Sequence, residues 1–178
     1  MDRINFFKKA CGLGICSCIG TELFSGSDLF AAEKQESGWK EGFIKHRFAK
    51  LIDILDKSLD EDTKNQIIEN LGKECSLTGF AKDYKNNPEG FFEQILNKWG
   101  EYATYDKENG FIRIETPERD CVCPLVDSQK ISKSICQCSV GWQTQTYNTI
   151  FDRNVEAKCT ESVIRGGKRC IFEIRILT

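Results

Sequence analysis

Apolar residues in the first half of the chain recur at helical spacing. Ile44, Phe48, Leu51, Ile52, Leu55 and Leu59 follow that repeat and predict an amphipathic helix. A second helix is predicted from Asp60-Glu61-Asp62, where acids suit the positive end of a helix. It runs through Ile67, Ile68 and Leu71 to Gly72 as its C-terminal cap. Cys75 to Tyr84 fits a short third turn. Asn87-Pro88 sets a capping residue before a proline at the first helical position, and Phe91, Phe92, Ile95, Leu96 and Trp99 then form a strong apolar stripe.

Beyond Gly100 the period shortens. Glu101 to Asp106, the turn signal Asn109-Gly110 and the alternating Phe111-Ile-Arg-Ile114 read as a β-hairpin. Thr116 to Ser134 is a connection. Between Ser139 and Asp152, Val140, Tyr147, Ile150 and Phe151 fit a helix, whereas the threonines fit a strand. Asn154 to Ile164, a turn at Arg165-Gly-Gly-Lys168, and Arg169 to Leu177 predict a closing hairpin. Helices first and antiparallel strands later give an α+β fold, with N-terminal helices packed on an antiparallel sheet closed by a C-terminal hairpin.

The 178 residues suit one domain, and a composition 40% hydrophobic and 29% charged can bury a core. A net charge of -2 lacks the basic surplus of a nucleic-acid-binding domain. No uninterrupted apolar run of about 18 residues predicts a spanning helix. The first residues read instead as a targeting segment. Arg3, Lys8 and Lys9 precede the short apolar stretch Ala10 to Ile19, and small residues follow at Ala31-Ala32. Arg3-Ile-Asn-Phe-Phe-Lys8 resembles a twin-arginine export signal, with Ile4 in place of the second arginine. Ile15-Cys16-Ser17-Cys18 approximates a lipobox, in which Cys18 is the acylated residue. The expected organisation is therefore a signal at 1–32, a polar linker at 33–39 and one domain at 40–178. The expected setting is a bacterial periplasm, or its membrane face through a lipid anchor. The alternative is an N-terminal amphipathic helix that stays on the protein.

Ten cysteines stand beside one histidine and one methionine. Removal of residues 1–32 would leave seven: Cys75, Cys121, Cys123, Cys136, Cys138, Cys159 and Cys170. An odd number leaves at least one thiol free, metal-bound or intermolecular in a monomer. Cys121-Val-Cys123 and Cys136-Gln-Cys138 are two Cys-x-Cys pairs twelve residues apart. In extended backbone, residues i and i+2 point to one side, so each pair would present two sulfurs together. Four such thiolates suit a tetrahedral ion such as zinc, although Cys-x2-Cys is the commoner structural spacing. Disulfides between the pairs, favoured by an oxidising compartment, and reduced buried thiols are the other two readings. A turn centred on Gly166-Gly167 would place Cys159 opposite Ile174 and Cys170 opposite Val163. That register separates the two sulfurs by roughly 13 Å along the sheet at about 3.3 Å per residue, too far to bond.

His46, flanked by Lys45 and Arg47 on the polar side of the first helix, fits a solvated residue better than a catalytic base. A Cys-His nucleophile would have to use it. No nucleophile elbow, phosphate-binding glycine loop or His-Glu metal motif is present. Trp99, Tyr102, Tyr105, Trp142, Tyr147 and Phe151 suit either core packing or the wall of a small-ligand pocket. Arg165, Lys168 and Arg169 suit a solvated hairpin tip or a carboxylate clamp.

Cys136-x-Cys138-Ser-Val-Gly141-Trp142, followed by Cys159-Thr-Glu-Ser162-Val-Ile-Arg-Gly166-Gly-Lys-Arg-Cys170-Ile-Phe172-Glu-Ile174, resembles the closing signature of 4-vinyl-reductase-type domains. It is also similar to L-2-amino-thiazoline-4-carboxylic acid hydrolase-like bacterial proteins. The resemblance covers residues 136–178 and implies helices covering an antiparallel sheet around a small-ligand pocket. The first group implies hydrocarbon or tetrapyrrole-like ligands, with cysteine-bound zinc in some members. The second implies opening of a cyclic aminothiazoline carboxylate. The expectations are thus an exported cysteine-rich domain binding a small molecule or metal through Cys121, Cys123, Cys136 and Cys138, with Trp142, Tyr147 and Cys170 nearby. The alternatives are a C–N hydrolase, with a cluster cysteine or zinc-bound water attacking, and a disulfide-stabilised envelope protein. Oligomeric state is not legible.

Overall fold

Asn87 accepts a hydrogen bond from the Gly90 amide at 3.1 Å, and Pro88 opens the helix behind it, so one well-signalled element forms where the sequence places it. In the computed structural model, residues 27–77, 79–126 and 131–177 are described, with side-chain surroundings from Gly38 onward. The chain divides into two units, residues 1–38 and 39–178. Arg3, Cys18 and the rest of the expected signal before Ser27 lie outside the described residues.

Helix α1 spans Ser27–Ser58 and α2 spans Glu61–Leu77. Asp60 caps α2, accepting the Thr63 amide at 2.9 Å and its hydroxyl at 2.7 Å. A 3-10 turn covers Phe80–Tyr84, and α3 covers Pro88–Trp99. Strands β1 (Tyr102–Asp106) and β2 (Phe111–Glu115) form the first hairpin. A 3-10 turn at Lys133–Ile135 leads into α4, Cys136–Phe151. Strand β3 (Val155–Glu161), a 3-10 turn at Val163–Arg165 and β4 (Ile171–Ile176) complete the order. The four strands form one antiparallel sheet in the order β1-β2-β4-β3. This is the α+β arrangement read from the sequence.

Four local expectations are corrected. The stretch 33–39, expected as a linker, is helical and continuous with α1. Its Glu33-Lys-Gln-Glu36 run consists of good helix formers, so polarity there does not break the helix. Gly72 is no cap, because α2 continues to Leu77. Gly72 instead permits contact with α4: a Cβ there would lie 1.9 Å from the Cys138 carbonyl oxygen. Gly141 does the same from the other side, where a Cβ would lie 1.9 Å from the Glu69 oxygen. The ambiguous segment Ser139–Asp152 is mostly α4. Its Thr144 and Thr149 hydroxyls donate to the Val140 and Gln145 carbonyls at 2.9 Å, a bond that reconciles threonine with a helix. Finally, a bulge between Cys159 and Glu161 and the turn at Val163–Arg165 move the closing register, so Cys159 faces Phe172 rather than Ile174.

One sheet face is covered. Ile112, Ile114, Phe172, Ile174 and Val155 pack with Phe91 and Ile95 of α3 and with Tyr147 and Ile150 of α4. The opposite face carries charge, including Arg113 between Glu115 at 2.8 Å and Glu173 at 3.2 Å. A second core joins Ile52 of α1, Ile68 of α2, and Val126, Ile131, Ile135 and Cys136. The cysteines gather at that second core.

Candidate functional site

Cys136 opens α4 and is buried, with its thiol donating to the Ser162 hydroxyl at 3.3 Å. Ser162 is itself buried and accepts the Arg165 amide at 3.2 Å, which fixes the turn after β3. Cys121 and Cys123 come from the connection after β2. They are half-buried on either side of Val122, which is 65% exposed, so burial alternates along this pair. Both pack on the second core, as does Cys138. The two Cys-x-Cys pairs therefore meet in space.

The second pair departs from the expected extended geometry. Cys136 and Cys138 lie on a helix, where two residues are about 200° apart. Cys138 consequently has Cys75 and Cys123 as electrostatic neighbours. Cys136 interacts instead with Cys123, Cys159 and Cys170. Cys170 also senses Cys121. The seven thiols are thus linked neighbour to neighbour over α2, the connection, α4, β3 and the residue before β4. Among the described residues no group of three or more His, Cys, Asp or Glu side chains is placed to hold a metal ion. The helical separation of Cys136 from Cys138 is the physical reason their four-thiolate cage with Cys121 and Cys123 does not close. Cys121, Cys123, Cys136, Cys138, Cys159 and Cys170 are in no disulfide.

Burial pushes the thiols upward. Cys138 is raised to about 11 by burial, then by Cys75 and Cys123. Cys159 also reaches about 11 through burial and Cys136, against the lowering influence of Arg165. Cys123 and Cys170 rise chiefly through burial as well. A nucleophilic cysteine needs the opposite shift, because the thiolate attacks. Cys159 and Cys170 share the covered face and, in the observed register, become diagonal neighbours. That spacing is roughly 7–8 Å, close to the reach of a disulfide and much shorter than the predicted register gave.

Tyr147 and Trp142 occupy the core. Tyr147 is wholly buried, with its ring 5.8 Å from Phe91 and 6.2 Å from Phe151. Among the described residues its hydroxyl has no hydrogen-bond partner, and burial followed by Glu101 pushes its pKa up. Trp142 meets Trp99 edge-on at 6.4 Å. The basic turn is occupied internally. Arg169 pairs with Glu118 at 2.9 Å and Glu115 at 3.5 Å, while Arg165 donates to the Cys159 carbonyl and to Gln137, each at 3.3 Å.

One feature had no sequence signal. A polar cleft of about 600 Å³ is lined by Asp56, Glu61, Lys64, Ser132, Lys133 and Arg165, among others. At its wall Lys64 pairs with Asp56 at 3.0 Å. Burial pushes the Asp56 carboxyl up, but hydrogen bonds from Ser132, Lys64 and Ser134 outweigh it and hold the group below its ordinary value. Four segments distant in sequence build this cleft, and none is distinctive alone.

No family model matches the chain, and no curated protein matches it. Among solved structures it is similar to a trafficking protein particle complex subunit 3 from Naegleria fowleri covalently bound to palmitic acid. Identity there is 13%, with 79% of this chain and 97% of that chain covered at a TM-score of 0.49. It is also similar to a vinyl-4-reductase family protein from Methanocaldococcus jannaschii, at 18% identity, 91% and 100% coverage and a TM-score of 0.40. Likenesses this distant carry no argument about ligand or activity.

Proposed function

We propose that the chain is a cysteine-rich binding domain whose ligand, a small molecule or a soft metal ion, is held by the sulfur layer around Cys136. The observation that carries this reading is that the buried Cys136 thiol has Cys123, Cys159 and Cys170, brought from other segments, as its electrostatic neighbours. Burial of small apolar thiols accounts for part of this packing, and a thiophilic ligand would use the same convergence. Zinc is the first ion to test, and its binding would require the connection carrying Cys121 and Cys123 to draw in upon α4 and the strands. The signature from Cys136 to Ile174 supports a 4-vinyl-reductase-type domain within this reading. The basic and apolar N-terminal pattern supports an exported setting.

Metal analysis of protein purified without added reductant or chelator tests the metal arm, and titration of free thiols is measured on the same sample. The reading predicts stoichiometric metal that Cys136→Ser removes and Cys75→Ser keeps. Absence of metal together with seven freely titrating thiols, unchanged by added zinc or by small thiol-reactive ligands, contradicts it.

A further inference from the structure

Helix α1 is apolar on two sides. Phe48 and Ile52 turn toward the second core. Trp39, Phe43, Ile44, Leu51 and Ile54 remain 60%, 51%, 57%, 49% and 58% exposed. At about 100° per residue these five fall within roughly 140° of the helix circumference, on the side away from Ile52. A contiguous apolar stripe of this kind marks an interaction surface rather than scattered surface hydrophobes.

The charges on the same arc identify the partner. Lys40, Arg47, Lys50 and Lys57 fall within it; Glu41 and Asp56 fall outside, and Asp53 sits just beyond its edge, where it pairs with Lys50 at 3.6 Å. Asp56 turns to the polar cleft, where it meets Lys64. Glu41 pairs with Lys45, off the arc. Arg47 lies over the Phe43 ring at 5.1 Å, and Trp39 meets Phe43 edge-on at 6.2 Å, so the stripe is ordered. A second copy of the chain would bring Arg47 and Lys57 onto an interface whose arc offers no acid to meet them, which disfavours a twofold pairing. An anionic lipid surface answers both features. Tryptophan, phenylalanine and aliphatic groups settle at the headgroup boundary, while long basic side chains reach phosphates from the same face. No helix among the described residues is long and apolar enough to cross a membrane, so the contact is in plane.

We infer that helix α1 between Trp39 and Ser58 docks on the surface of a bilayer containing anionic phospholipid. Flotation of the full chain tests this, using vesicles of phosphatidylglycerol with phosphatidylcholine against phosphatidylcholine alone. The emission of Trp39 is followed in parallel, with Trp39→Phe subtracting Trp99 and Trp142. Binding to the anionic vesicles, with a shift of Trp39 emission to shorter wavelength and loss at high salt, is expected. Phe43→Ser with Ile44→Ser should weaken it at least about tenfold. Arg47→Glu with Lys50→Glu should abolish the preference for anionic lipid. These side chains are solvent-facing, and circular dichroism of each variant checks that the fold is kept. Equal partition onto both vesicle types, unchanged binding of either double variant, or a dimer that protects Trp39 without lipid would overturn the inference.

Discussion

Cys138 and Cys159 each titrate near 11 against an ordinary value of 9.0, and burial is the first cause in both. In the unfolded chain these thiols would ionise first, so the folded state keeps protons that the unfolded state has lost. Their contribution to stability is therefore complete below pH 9 and disappears as pH rises toward 11. Denaturant midpoints measured across that range should fall, and Cys138→Ser with Cys159→Ser should flatten the fall. An identical pH profile in the double variant would remove burial of neutral thiols from the account.

At the scale of elements, local signals were legible where a single segment settles its own geometry. Asp60 and Asn87-Pro88 cap helices, and the Asn109-Gly110 turn joins β1 to β2 with Gly110 at φ +60°. Gly72 misled because a glycine near a predicted helix end resembles a cap, whereas its reason lies in α4. The bulge after Cys159 was equally hidden, since its register depends on the Ser162 cap and the turn it organises. Gly72→Ala or Gly141→Ala puts a methyl group where a backbone oxygen stands at 1.9 Å. Each should destabilise the domain by about 1–3 kcal/mol or more, because both faces of the clash are helix backbone. Urea unfolding checks this, and a change within about 0.5 kcal/mol would show that α2 and α4 are not in such close contact.

Across the whole molecule, the fold class followed from helices preceding alternating strands. What did not follow was which sulfurs face each other. That depends on α4 beginning at Cys136, which sends Cys138 toward Cys75 and leaves Cys136 with the strand cysteines. The polar cleft was invisible for a related reason, since its residues come from α1, α2 and the two short turns beside Lys133 and Arg165. The most direct measurement is site-resolved alkylation of the reduced protein by mass spectrometry, before and after adding zinc. The account predicts that Cys123, Cys136, Cys159 and Cys170 become protected together, while the exposed Cys75 continues to react. Protection confined to one cysteine, or rates at all seven that do not change with any thiophilic ligand, would contradict a shared sulfur site.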